Sequence, residues 1–291
     1  MTAGATMLND YLQASRVSLT QSRMQDIDNA ITQYMSVNNV LPCPAVLSDT
    51  QDSATFGRAL TDGLVPAVHQ ADSTDCYKIS TETPGTFNIA GNLPSQSVTP
   101  ANSTNIVIGA VPTRSLNLPD QEIADGWGNR FIYAVTDYLT VSGTNNPMQG
   151  TIALEDSNDN PLVGSTFTPP LWAQYVLLSY GADRAGAYTI AGIQGGVVCP
   201  ATGLESVNCT LPTAMFRKTL LTSNQKGPNH FDDYVIYHSN LGVTTALPSS
   251  IPSGMFAPFL GTSCPSGWQN AATGVNGCPA GSSGLTCCQK Q

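Results

Sequence analysis

Charge is what this sequence has least of. Only 11% of its 291 residues are Asp, Glu, Lys or Arg, against about 25% in an average soluble protein. Cations are the scarcest, with 11 Lys+Arg facing 20 Asp+Glu and a net charge of −9. Nucleic-acid binding needs a basic face for phosphates, and docking on an anionic membrane surface needs the same. The composition therefore argues against both. No run of about 18 apolar residues occurs that would cross a bilayer as a helix. The first 20 residues lack the basic stretch and apolar core of a secretory address. Tight ligand pairs such as CxxC or HxxxH are missing, as are GxSxG, HExxH and phosphate-loop patterns. Metal centres and catalysis of those kinds are thus without support.

Apolar residues are present at 41%, too many for a disordered chain. Ser, Thr, Asn, Gln, Gly and Pro fill the surface role that Lys and Glu usually take. Eight cysteines stand out in so uncharged a chain: Cys43, Cys76, Cys199, Cys209, Cys264, Cys278, Cys287 and Cys288. Their even number and wide spacing favour disulfides, and so an oxidising compartment, over a metal. Spacing does not fix the connectivity. Neighbour pairing is the simplest arrangement: Cys43 with Cys76, Cys199 with Cys209, and Cys287 and Cys288 with Cys264 and Cys278 in either order.

Three parts follow along the chain. Residues 1–40 hold the best helix, without Pro, and from Val17 the apolar positions Met24, Ile27, Ile31 and Tyr34 form one stripe of 3.6-residue period. The helix should end at Asn38-Asn39, before Pro42 and Pro44. Its second half should pack, leaving the first half, with Met7, Leu8, Tyr11 and Leu12, for another partner. Residues 41–260 form a head that is loop-rich over 45–105. It then carries strand-like runs: NIVIGAV from Asn105, RFIYAV from Arg130, YVLLSY from Tyr175 and YVIYH from Tyr234. The segments between them lack helical period, which predicts antiparallel pairing in an α+β fold. Residues 261–291 form a Cys-rich tail too poor in apolar residues for a core of its own.

Three stretches, in this order, resemble the type IV pilins and the pseudopilins of type II secretion. MLNDYLQASRVSLTQSRMQDIDNAITQYMSVNNVLPCPA (7–45) resembles the second half of a pilin helix with its Asn-x-Leu-Pro turn. GAVPTRSLNLPDQEIADGWGNRFIYAV (109–135) is similar to the Gly-x-x-Pro turn, the Asp-x-Trp-Gly loop and an aromatic strand. LLSYGADRAGA (177–187) and FDDYVIYHSN (231–240) look like the late strands. The resemblance implies a pilin-like fold and a structural role as a minor pilin or pseudopilin, with no enzymatic activity. In that reading Met7, Leu8, Tyr11 and Leu12 pack in a filament, while Val17, Met24, Ile27, Ile31 and Tyr34 hold the head. Other pilin or pseudopilin subunits are the implied partners. Met1 would then start midway along the helix, with the leader and the apolar half that anchors in the inner membrane upstream of it. An exported protein of the periplasm or of a cell-surface filament follows. Residues 241–291 have no counterpart in the small pseudopilins.

Small pseudopilins bind calcium late in the head, and the resemblance places Asp183, Asp232 and Asp233 near such a site. Calcium takes six to eight oxygen ligands. Arg184 opposes a metal at Asp183, and Asp232 and Asp233 alternate across a strand, so only one of them faces the loop. No other cofactor is expected. Asp125-Gly126-Trp127-Gly128 reads as a structural turn with Trp127 sealing the helix to the sheet. Asp156–Asn160 reads as a hairpin tip, because Pro161 and Phe167 break the EF-hand pattern. A rival to the filament role is a surface or tip binding module working through loops 45–105 or the tail, with Trp268 as its aromatic anchor. An exported hydrolase would have to use His230 or His238.

Overall fold

In the computed structural model, residues 3–59, 76, 87–89, 106–140, 150–164, 172–195, 197–211, 215–222, 227–239, 256–260, 268–270 and 285–290 are described. For 3–6, 87–89, 138, 256–260, 268–270 and 285–290 the description covers the backbone alone. The fold is α+β, an N-terminal helix with an antiparallel sheet and two disulfides.

Helix α1 (Ala3–Asn38) runs 36 residues. It stops where Asn39 adopts φ 57° and its N–H bonds the Met35 carbonyl at 2.9 Å. That left-handed closure is one Asn can supply, and the two prolines beyond it prevent resumption. Met24, Ile27 and Ile31 are buried to 1% or less, Val17 and Tyr34 are half-buried, and Met7, Leu8, Tyr11 and Leu12 are exposed. The helix therefore packs through its second half.

The main sheet has five strands in the order β1 (Phe87–Ile89), β2 (Ile106–Ala110), β3 (Ile132–Thr136), β6 (Ala173–Ser179) and β8 (Tyr234–Ser239), every pair antiparallel. Strands β2, β3 and β6 are buried on both faces, which is why their sequences read as nearly continuous apolar runs. Side-chain alternation splits them between two clusters. Val107, Tyr133, Val135, Tyr175 and Leu177 meet Met24, Ile27 and Ile31 beneath α1. Ile106, Ile108, Ile132, Ala134, Val176 and Leu178 pack on the opposite side against Leu154, Val163 and Phe216. Those last three belong to a small sheet of β4 (Ala153–Glu155), β5 (Pro161–Val163) and β7 (Met215–Arg217). The core is thus a sandwich of helix, sheet and small sheet.

The β4–β5 tip is closed by Asp156, whose Oδ1 accepts from the Asn158 and Asn160 N–H groups at 2.7 and 3.0 Å. Strand β7 lies parallel to β4, a departure from the all-antiparallel expectation. A third sheet pairs β9 (Phe256–Leu260), β11 (Leu285–Lys290) and β10 (Trp268–Asn270), so it straddles residue 260.

Two bridges, Cys43–Cys76 and Cys199–Cys209, join the neighbour pairs that spacing suggested. Cys264 and Cys278 lie outside the described residues, and Cys287 and Cys288 are described only as backbone of β11. The bridges indicate an oxidising, extracytoplasmic environment. Among the described residues no helix is long and apolar enough to cross a membrane.

Candidate functional site

Strands β6 and β8 run antiparallel with Ser179 opposite Tyr234. The turn leaving β6 and the segment entering β8 therefore meet at one end of the sheet. Gly181 makes the approach possible: at φ 63° it favours glycine, and a Cβ there would overlap the Asp232 carbonyl oxygen. Asp232 turns its Oδ2 onto the Ala182 and Asp183 N–H groups at 2.8 and 3.0 Å. A third loop, 199–209, is held by its own disulfide and contributes Glu205, whose Oε1 accepts from the Asp232 N–H at 2.9 Å. The Leu204 N–H reaches the Pro228 carbonyl at 2.9 Å, bringing up the turn Gly227–Asn229 and, after it, His230.

The result is a group of three carboxylates and one imidazole, Asp183, Glu205, His230 and Asp232, with one ligand atom of each within 4.8 Å of all the others. His230 Nε2 lies 3.6 Å from Glu205 Oε1 and 3.8 Å from Asp183 Oδ2 and from Asp232 Oδ2. Glu205 and Asp232 are almost wholly buried, whereas Asp183 and His230 are partly open to solvent. Burial first, and then the charges of Asp233, Asp183 and Asp232, push the Glu205 carboxyl up to about 9. Burial and the Asp183 charge likewise raise Asp232. Asp183, Glu205 and His230 also line a cleft of about 590 Å³, together with Val197, Val198 and Pro228.

Of the three carboxylates expected near calcium, the structure brings together Asp183 and Asp232. Asp233 stands outside the group, its Oδ2 accepting from the Asn208 amide at 2.9 Å. The side chain beside Asp183 is the His230 imidazole, with Nε2 3.8 Å from Oδ2. Glu205 had no signal in the sequence, since it lies 22 residues from one partner and 25 from the next in SVNC-flanking loop sequence. His230 was visible only as a loop histidine beside two aspartates.

Of the other candidates, Asp125, Trp127 and His238 serve the scaffold. Asp125 Oδ1 accepts from the N–H groups of Trp127 and Asn129, each at 2.9 Å, and its Oδ2 takes the Ser179 hydroxyl at 2.7 Å. Trp127 is buried against Tyr234, and its indole N–H reaches Gln13 of α1 at 3.3 Å. A Cβ at Gly126 would overlap the Arg16 backbone, so the helix passes directly over this loop. Further along, Asp28 accepts from Tyr175 at 2.8 Å and lies 3.2 Å from His238 Nε2, and the His238 ring stacks on Tyr175. His238 thereby fastens α1 to the sheet. Trp268 begins β10 opposite Lys290 in register. Most of loops 45–105 lies outside the described residues.

Comparison with family models, with curated proteins and with solved structures gives no match.

Proposed function

We propose that this protein is a structural subunit of an extracytoplasmic filament of the type IV pilus or type II secretion kind, in the role of a minor pilin or pseudopilin. The observation that carries the reading is the division of α1. Its second half is built into the core, while Met7, Leu8, Tyr11 and Leu12 stand 45–74% exposed on the first. Residues at i, i+1, i+4 and i+5 share one side of a helix, so these four form a continuous apolar stripe. Folded proteins seldom leave such a stripe uncovered without a partner for it. Helices of neighbouring subunits are the partner that fits, with the sheet and its loops displayed outward. The two disulfides agree with assembly outside the cytoplasm. A head of this size suits a minor or tip position.

The test is incorporation. Leu8→Asp with Leu12→Asp, expressed in the native host, should remove the protein from the sheared filament fraction while its unfolding temperature and disulfides stay as in the parent. Incorporation at parental levels would overturn the filament role.

A further inference from the structure

We infer that Asp183, Glu205, His230 and Asp232 form a binding site for one divalent transition-metal ion of the zinc type. The geometry carries the inference. His230 Nε2 sits 3.6–3.8 Å from an oxygen of each of three carboxylates, and the four ligand atoms lie within 4.8 Å of one another. Zinc bonds of about 2.0–2.1 Å to nitrogen and oxygen give tetrahedral ligand–ligand edges of about 3.3–3.4 Å. The imidazole therefore needs to close on each carboxylate by only a few tenths of an ångström, and the widest ligand pair, at no more than 4.8 Å, by about 1.5 Å.

A second, independent observation points the same way. Asp232 Oδ1 is buried without a hydrogen-bond partner, on a side chain only 6% exposed. A buried carboxylate oxygen left unpaired is costly, and a cation held by this carboxylate would offset that cost. The crowding of negative charge around Glu205 has the same remedy. The cleft beside Asp183, Glu205 and His230 supplies an access route.

The donor set selects the metal. One imidazole nitrogen with carboxylate oxygens suits zinc and its first-row neighbours, whereas calcium prefers six to eight oxygens. The ion would join three loops, 181–186, 199–209 and 227–232, that are otherwise linked by hydrogen bonds. Its place in the molecule is that of a staple beneath the end of the sheet.

Metal-stripped protein titrated with zinc chloride, manganese chloride or calcium chloride provides the test, read by calorimetry and by the metal content after dialysis. The expected result is one zinc per chain, tighter than calcium. The zinc affinity should fall at least about tenfold in His230→Ala and in Asp183→Asn, with His238→Ala unchanged. Asp183 is partly exposed, so Asp183→Asn keeps the test available if His230→Ala fails to fold in the metal-free thermal scan. Absence of zinc uptake, uptake equal in the parent and in Asp183→Asn, or preference for calcium would each overturn the site. None of these outcomes bears on the filament role, which rests on α1.

Discussion

Between Met7 and Leu12, helix α1 presents four large apolar side chains to solvent, with Met7 at 74% and Tyr11 at 71% exposure. Between Met24 and Ile31 it buries three, at 1% or less. The residue types are alike and the helix is continuous, so composition and propensity do not distinguish the halves. What distinguishes them is whether a surface lies opposite. Val107, Tyr133 and Leu177 offer one to the second half, and the Asp125–Asn129 loop marks where contact begins. Among the described residues, none buries the first half of the stripe, and the proposed filament role assigns that half to a neighbouring subunit. The contrast can be broken by making either half behave like the other.

The largest effect is expected in the core. Ile31→Ala removes a wholly buried side chain between helix and sheet and should cost about 2–5 kcal/mol, read as a lower urea midpoint. Leu12→Ala should change stability by no more than about 0.5 kcal/mol. Equal losses would mean that the first half also packs on the head.

Next in size is Gly126→Ala, which sharpens the boundary. The added methyl would collide with the Arg16 backbone, whose Cα lies 2.7 Å from where it would sit. It should also disturb the bond from the Gly126 N–H to the Thr20 hydroxyl at 2.9 Å. A loss of about 1–3 kcal/mol is expected for overpacking of this kind, with a change in Trp127 fluorescence as the helix lifts. An unchanged spectrum and melting point would show that α1 is not held at this loop.

The Asp28 anchor gives a smaller and pH-dependent effect. Burial pushes this carboxyl up, but hydrogen bonds from His238 and Tyr175, together with the His238 charge, outweigh it and leave it below its ordinary 3.8. A depressed folded-state value means that the folded protein holds the charged form more firmly than the unfolded chain does. The stabilisation is therefore present above pH 3.8 and is lost as the pH falls through the folded value beneath it. Asp28→Asn should cost on the order of 1–2 kcal/mol near neutrality. The gap from the parent should narrow as the pH drops from about 5 to about 3. A gap constant over that range would remove the charge from the anchor.

The sequence discloses these elements unevenly, for physical reasons. Period 3.6 from Val17 to Tyr34 identified the packed half of α1, because burial on one side imposes that period. The strands from Ile106, Ile132, Ala173 and Tyr234 were visible as apolar, β-branched and aromatic runs bounded by turn residues, and their antiparallel pairing followed from connections without helical period. The parallel contact between β4 and β7 left no such trace, since it joins segments that are distant in sequence. Buried Arg130 and Arg217 were equally silent. Arg130 donates to the carbonyls of Val46 and Ile190 at 3.1 and 2.9 Å, and Arg217 pairs with Glu155 and Asp159. The carboxylate–imidazole group was half legible. Asp183 lay in a recognisable turn and Asp232 at the start of a recognisable strand run, but Glu205 and His230 join them only because a disulfide loop and the Gly227–Asn229 turn fold over the end of the sheet.

The smallest expected effect on stability tests the contrast most directly. Leu12→Asp places a charge on the half of α1 that meets water, where it breaks no buried contact and opens no cavity. Its unfolding free energy should stay within about 0.5 kcal/mol of the parent. The same substitution at Ile31 strands a carboxylate in a closed core and should prevent folding. If the stripe is a contact surface, Leu12→Asp keeps the melting curve and loses the assembly, so stability and incorporation separate at one residue. If the melting curve falls instead, the stripe is covered by this chain's own residues, and the exposed half of α1 no longer speaks for a neighbour.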